Sequence, residues 1–524
     1  MMADRSWSSW LRESRTVRTV AWAIFIAAAV HVVAVFAFAP VLPEDDAFIT
    51  LKYAANLAEG NGFVFNPGER VLGTTSPADT LLLAAVGAVA GPGRLAAAAV
   101  TLNGLWIVLT GVAALLLFEG LGLRSPLPEL AAAWLMLSPQ VLEMGLGGME
   151  VCLFAFTAVA ALALAVRSHW AWAAGMASLS VLVRPEGAVV LGILALYWWR
   201  SGRPKAVPVA VAAGSILGGW ALFAGLYFGS PIPQSVLAKV HASGIVAAGS
   251  AARRLAAEAS AWLLGGRVNP AAASFAAPQA AVVVLTLLLI AAVVIAAARG
   301  RVRPAAVWIP AWLVLAAAGY AITNPYWFPW YAMMVLIPWW LTFVVGIGSL
   351  DAAPARWSWA PLTLLAIIVL AQGIGAVGAA TLPNWPAAAY VISTPYRARI
   401  LSYAEAARWL NAHAADGSEL LSGEIGMLGF VYRRGPIIDA WGLVTPEAAA
   451  FSTSGSIPSG QLGTIPPELV RAERPAFVVG FPMFLGRLNS DGWFGQNYRF
   501  IRFFDVPGRS YPMYRLELYA LGPP

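Results

Sequence analysis

Asp45 and Asp46 stand side by side just past the first long apolar run, in Pro43-Glu44-Asp45-Asp46-Ala47-Phe48-Ile49-Thr50. A charge that sinks into lipid costs about 2.5–3.5 kcal/mol on insertion scales, so acids at the mouth of a span persist where they do something. A carboxylate can take a proton from an attacking hydroxyl. It can also cap a helix by accepting orphan N–H groups. Residues 46–58 carry an amphipathic helical pattern with Phe48, Leu51 and Leu57 on its apolar side, so either aspartate could be its N-cap. One acid suffices for a cap, and two in succession exceed that need. Consecutive side chains diverge by about 100° on a helix, so the two aspartates are expected to do different jobs.

Other residues of chemical interest follow along the chain. Glu150 comes after Gly147-Gly148-Met149 and reads either as a first-turn acid favoured by the helix dipole or as a ligand for sugar or acceptor hydroxyls. Arg184 and Glu186 flank Pro185 and either pair with each other or offer Arg184 to a phosphate. Lys239 and His241 lie beyond Gln234, where solvated side chains are the plain alternative to ligands. Asn324-Pro325-Tyr326-Trp327-Phe328-Pro329-Trp330-Tyr331 reads as an interfacial aromatic belt, with sugar stacking as the sharper alternative. Glu424 and Asp439 read as local structural acids. Asp45, Asp46 and Glu150 could together offer oxygens to a hard cation, but adjacent acids alone do not make a metal site, and no obligatory metal or cofactor is expected.

The elements that must position these groups are membrane helices. The 524 residues are 60% hydrophobic and only 11% charged, with a mean hydropathy of +0.72. Soluble domains carry roughly 25% charged residues. The net charge of +7 does not point to nucleic acid, because the basic residues sit in short loops between apolar runs. Cys152 is the single cysteine, which excludes an intramolecular disulfide and a cysteine-based metal or redox pair. The basic start (Arg5, Arg12, Arg15, Arg18) followed by an apolar run reads as a signal anchor with a cytoplasmic N-terminus.

Runs able to span lie near 19–41, 95–118, 127–143, 150–167, 206–228, 278–298, 305–322, 330–348 and 359–381. The stretch 170–199 is broken by Arg184-Pro185-Glu186-Gly187 into two short helices meeting at a membrane surface. The apolar segment 77–92 is short. If it does not cross, Arg124, Arg167, Arg200/Arg203/Lys205, Arg299/Arg301/Arg303 and Arg356 fall on the cytoplasmic side, and if it crosses they all flip out. It is therefore expected to be interfacial, giving about eleven spans. The outer face then holds loop 42–94, the Glu150 turn, the Arg184 break, loop 229–277 and the tail. From 385 to 524 the pattern changes to a helix around Tyr403–Leu410 and short strands at Ile437-Ile438 and Ala476–Gly480, a mixed α/β extracytoplasmic domain after a membrane domain over 1–384.

The run Asp45-Asp46-Ala47-Phe48-Ile49-Thr50-Leu51-Lys52-Tyr53, then Asn56-Leu57, Gly60–Asn66 and Gly68-Glu69-Arg70-Val71, resembles the first periplasmic loop of GT-C fold glycosyltransferases. It is most similar to the mycobacterial-type arabinofuranosyltransferases that use decaprenyl-phosphate arabinose. Gly148-Met149-Glu150, Val183–Gly187, Phe228–Pro233, Lys239, Gly423–Gly426, Ile438-Asp439 and Trp441–Leu443 match further family positions in order. The likeness departs at Thr75-Ser76-Pro77-Ala78-Asp79, where the family carries a Thr-Asn-Pro-Leu-Trp-like run.

The resemblance implies a multi-pass enzyme of a bacterial cytoplasmic membrane. It would move a sugar, arabinofuranose in the nearest relatives, from a polyprenyl-phosphate donor to a glycan, glycolipid or glycoprotein acceptor outside the cell. It implies Asp45 as general base with Asp46 orienting the acceptor or loop, the reverse order staying open. It implies donor or acceptor contacts from Lys52, Tyr53, Glu150, Arg184, Glu186, Lys239 and His241. No P-loop or dinucleotide fingerprint is present, as expected for a donor that carries its own leaving phosphate. Two other classes compete, a lipid transporter or flippase and a non-catalytic glycan-binding protein. A transporter predicts inverted repeats and midplane charges. The chain shows no internal repeat, and its acids gather on one face.

Overall fold

The computed structural model describes residues 14–38, 42–242, 250–264, 276–323, 325, 327–350, 360–381, 395–451, 464–505 and 515–522. Among these, six helices are long and apolar enough to cross a membrane: Arg15–Phe38, Pro92–Leu121, Ala206–Phe228, Ala280–Ala298, Pro304–Thr323 and Tyr331–Ser349. Shorter apolar helices join them at Leu127–Leu137, Val151–Val166, Trp170–Val183, Gly187–Arg200 and Leu362–Gln372. Tyr331–Ser349 is 94% buried and forms the centre of the bundle, whereas Ala206–Phe228 is 6% buried and turns nearly its whole surface outward. An apolar helix with so little protein cover is a lipid-facing one.

Two runs are interrupted where proline dictates. The expected span 127–143 divides into Leu127–Leu137 and Pro139–Leu146, with Ser138 extended between them. The residue before a proline is pushed out of helical geometry, which ends the first helix. The 170–199 stretch divides into Trp170–Val183 and Gly187–Arg200 with Arg184 extended before Pro185, as the sequence predicts. Pro77–Ala90 spans 14 residues, about 21 Å, well short of a hydrocarbon core of about 30 Å. It buries Thr80, Leu83, Ala84 and Gly87 on one side and leaves Val89 91% exposed on the other.

The tail builds a five-stranded sheet in the order β2-β1-β3-β5-β4. The strands are β1 Leu420–Ser422, β2 Ile437–Asp439, β3 Phe477–Gly480, β4 Tyr498–Asp505 and β5 Arg515–Leu521. β1 pairs parallel with β2 and β3, and β5 runs antiparallel to both β3 and β4. The Pro395–His413 helix covers one face.

The first loop is sewn into this sheet. Asn66 Nδ2 donates to Ile437 O (2.9 Å) and Asn66 Oδ1 accepts from Ile437 N (3.0 Å), extending the β2 edge. Ile49, Tyr53, Phe63 and Phe65 share one core with Tyr403, Leu410, Leu420 and Val479. A Cβ on Gly429 would lie 2.5 Å from the Phe65 ring, so glycine permits that approach.

Candidate active site

The Asp45–Ala58 helix opens with Glu44 as its N-cap residue, and no side chain caps it. This differs from the expected aspartate cap. Both aspartates sit in the first turn instead, where the helix dipole favours acids. Their side chains then part. Asp45 is 5% exposed and points into the tail, where its carboxylate accepts the N–H groups of Gly426 (3.0 Å) and Met427 (2.9 Å). Those groups open the Gly426–Val431 helix, so Asp45 caps a helix more than 380 residues away in sequence. Gly426 allows this seam, because a Cβ there would meet the Asp45 carbonyl oxygen at 1.8 Å. Burial, with the nearby Glu424 charge, pushes the Asp45 carboxyl up to about 7, against the pull of the two N–H donors. Asp46 is half-buried and lines a cavity of about 760 Å³.

Glu150, Arg184 and Glu186 line the same cavity. Arg184 Nη1 donates to Glu150 Oε1 (2.5 Å), its Nη2 to Glu186 Oε1 (3.1 Å) and its Nε to Glu186 Oε2 (3.3 Å). Tyr320 Oη donates to Glu186 Oε1 (2.6 Å), and the Tyr331 ring lies 5.8 Å from the guanidinium. The pairing of Arg184 with Glu186 that the sequence offers is present, and Glu150 joins it to make a triad. The helix break sets its geometry. Pro185 forces Arg184 extended, and Gly187 lets the two helices touch, since a Cβ there would lie 2.3 Å from the Ser180 carbonyl carbon. Entry of the chain into the Asp45–Ala58 helix is tied to the same region by Glu44 N donating to Gly147 O (2.8 Å).

Lys52 and Tyr53 are placed elsewhere. Neither lines the cavity, and both are buried. Tyr53 Oη donates to Val71 O (2.6 Å) and accepts from Gly73 N (2.8 Å), bracing the segment that carries Gly73, Thr74 and Thr75 along the cavity. Burial, with the Arg433 charge, pulls the Lys52 amine down to about 8. Lys239 and His241 fall within the Gln234–Ala242 helix, and their side chains lie outside the described residues. In the aromatic run, Trp330 and Tyr331 line the cavity while Phe328 stacks on Trp330 at 4.7 Å. Asn324 and Tyr326 lie outside the described residues.

The tail acids hold local structure. Glu424 accepts from Arg399 Nη2 (2.9 Å). Asp439 accepts the N–H groups of Trp441 (2.9 Å), Leu443 (2.5 Å) and Val444 (3.3 Å). That fold of the chain places Leu443 on the cavity wall. Among the described residues no three His, Cys, Asp or Glu side chains gather in a metal-binding group, and Asp45 does not join Asp46 and Glu150 at the cavity.

Sequence reasoning overlooked Thr50, Thr74, Thr75, Ser235 and Tyr320, which also line the cavity. Thr50 was open to discovery, since it stands four residues after Asp46 and so on the same helix face. Ser235 and Tyr320 carry no local signal of their partners.

Comparisons with known proteins bear on the fold. A domain of unknown function, DUF8728, matches residues 391–519, the tail. A terminal β-(1→2)-arabinofuranosyltransferase of Mycobacterium tuberculosis is 31% identical over 219 residues, 37% of this chain and 34% of that protein. The match thus spans about a third of the relative. The structure of ArnT from Cupriavidus metallidurans superimposes with a TM-score of 0.57 at 14% identity, covering 97% of this chain and 100% of that one. Arabinofuranosyltransferase AftD from mycobacteria superimposes with a TM-score of 0.52 at 16% identity, covering 100% of this chain and 41% of that one. The fold is of the GT-C type.

Proposed function

We propose that this chain is a membrane glycosyltransferase that moves a sugar from a polyprenyl-phosphate donor to an envelope glycan or glycolipid on the extracytoplasmic face. The arabinofuranosyltransferase relative and the first-loop resemblance support arabinofuranose as that sugar. The observation that carries the reading is the division of labour between the adjacent aspartates. Asp45 is committed to two backbone N–H groups, while Asp46 borders a large cavity beside a buried Glu150–Arg184–Glu186 triad.

Asp46 is accordingly the general base, reversing the order that the resemblance implies. It takes the proton of the acceptor hydroxyl as that oxygen attacks the anomeric carbon. The bond from the anomeric carbon to the phosphate oxygen breaks, and polyprenyl phosphate leaves with the electron pair. Arg184 fixes Glu150 and Glu186, whose remaining oxygen lone pairs suit sugar hydroxyls. The departing phosphate needs a cation in a site already holding several carboxylates, and Lys239 is the proposed one. Tyr53 serves as a positioning residue rather than a substrate contact.

The test is transfer of labelled arabinofuranose from its polyprenyl-phosphate donor by membranes containing the chain. Asp46→Asn is expected to lower kcat by about 10²–10⁴-fold, the range supplied by general base catalysis. Unchanged transfer would remove Asp46 from the chemistry.

A further inference from the structure

The tail carries an uncovered aromatic face away from the cavity. Phe500 and Phe503 of β4 are 44% and 43% exposed, their ring centroids lie 4.5 Å apart, and neither lines the cavity. We propose that this pair is a docking site for a neutral glycan chain, holding the polymer whose end reacts at the cavity. The proposal rests on the glycosyltransferase reading and gives the tail a role in it.

A bulge makes the pair. Successive strand residues alternate between faces, so a spacing of three would put Phe500 and Phe503 on opposite sides. Phe500 pairs with Tyr519 and Arg502 with Leu518, which leaves Ile501 as one extra residue. The extra residue shifts the alternation and brings both rings to the side of the sheet that carries Tyr519 and Glu517. Phe504, Leu516 and Leu518 take the other side and share a core with the Pro395–His413 helix. On the aromatic side, the Pro482–Asn489 and Gly492–Asn497 helices cover Tyr498, whose ring stacks on Phe494 at 4.8 Å, and leave Phe500 and Phe503 open. One exposed phenylalanine is ordinary on a protein surface, whereas two aligned by a bulge are a built feature.

The surroundings select the occupant. The rim is polar and internally paired. Arg515 Nε donates to Asp505 Oδ1 (2.9 Å) with its guanidinium 5.6 Å from the Phe503 ring, and Tyr519 Oη donates to Glu517 Oε2 (2.7 Å). Arg502 turns to the other side, over Trp409 and Phe504. The rim thus holds two acids and one base, a balance that opposes an anionic lipid surface or an acidic polymer. Two half-exposed rings fall far short of the roughly 800 Å² per partner that a stable protein interface buries. β4 lies at the edge of the sheet, and its bulge and charges oppose the addition of a further strand. A sugar ring meets every one of these conditions. Its C–H face is small and neutral and stacks on the negative face of an aromatic ring, while its hydroxyls both donate to the rim carboxylates and accept from the guanidinium.

The experiment uses the purified full chain in nanodiscs and a neutral arabinan immobilised on a sensor surface. The wild-type chain is expected to bind it, and the double variant Phe500→Ala with Phe503→Ala to weaken Kd at least ten-fold, about three- to ten-fold per ring. Phe503→Leu keeps the apolar bulk and loses the ring face, so it weakens Kd about three-fold or more with an unchanged thermal midpoint. KM for arabinan as the acceptor in sugar transfer rises by a similar factor. Four results overturn the site: no arabinan binding by the wild-type chain, an unchanged Kd in the double variant, a change in its oligomeric state, or quenching by brominated phospholipid of a fluorophore attached through Phe503→Cys. A chain that binds arabinan with this dependence on the rings but transfers no sugar keeps the site and overturns the underlying function instead.

Discussion

Two charged regions, one at the cavity and one at the seam between the first loop and the tail, solve the same problem differently. At the cavity, Glu150 and Arg184, each with a side chain 5% exposed, neutralise one another, and Glu186 completes the triad. At the seam between the first loop and the tail, Asp45 meets no cation directly and is held by two backbone N–H groups. Countercharge balances the first group, which lines the cavity. Two backbone donors occupy the second group, one on each carboxylate oxygen. Of the two aspartates, Asp46 is the one that lines the cavity, and the proposed function assigns it the chemistry on that ground.

The comparison breaks most visibly at Arg184. Removing the guanidinium in Arg184→Ala strands two carboxylates beside the cavity, an expected loss of about 3–5 kcal/mol in stability, read from thermal unfolding of the detergent-solubilised chain. A midpoint within a degree of wild type would mean that the triad is solvated. Tyr53→Phe comes next. It leaves the buried Gly73 N–H and the Val71 carbonyl without their partner, an expected loss of about 1–3 kcal/mol. It should also raise KM, because the braced segment carries Thr74 and Thr75.

The effect at Asp45 is a slope with pH rather than a fixed loss. Its carboxyl titrates near 7 in the folded chain against an ordinary value of 3.8, so the folded state binds more protons across that window. Its contribution to stability is full below about pH 4 and is lost as pH rises through 7. Asp439, pushed up to about 6 by burial, acts in the same direction. Asp45→Asn should flatten the decline of the unfolding midpoint between pH 4 and 7 without abolishing it, and an unaltered slope would take Asp45 out of the seam.

How much of this was legible in the sequence follows from where each partner lies. The break at Arg184 was readable, because Pro185 and two charges interrupt an apolar run within four residues. The shortness of Pro77–Ala90 was readable from its bounds, Pro77 at one end and Gly91-Pro92-Gly93 at the other. Strands β2 and β3 showed as β-branched runs, whereas β4 and β5, with burial alternating along Arg515–Leu521, went unnoticed among their charges. The 100° divergence of Asp45 and Asp46 made different jobs readable, but which one turns to the tail was illegible, since nothing near residue 45 announces an N–H pair at 426 and 427. The clamp on Gln234 was hidden for the same reason, its partners being Leu72 on one side and Gly442 on the other.

The central claim is that neighbouring aspartates divide structure from chemistry. Its most direct test is sugar transfer by Asp45→Asn and Asp46→Asn, each normalised to folded protein by size-exclusion profile. The account predicts that Asp46→Asn loses about 10²-fold or more of kcat with a normal profile, while Asp45→Asn keeps kcat within about ten-fold and loses pH-dependent stability. The reverse pattern, with Asp45→Asn folded and inactive and Asp46→Asn active, would contradict it.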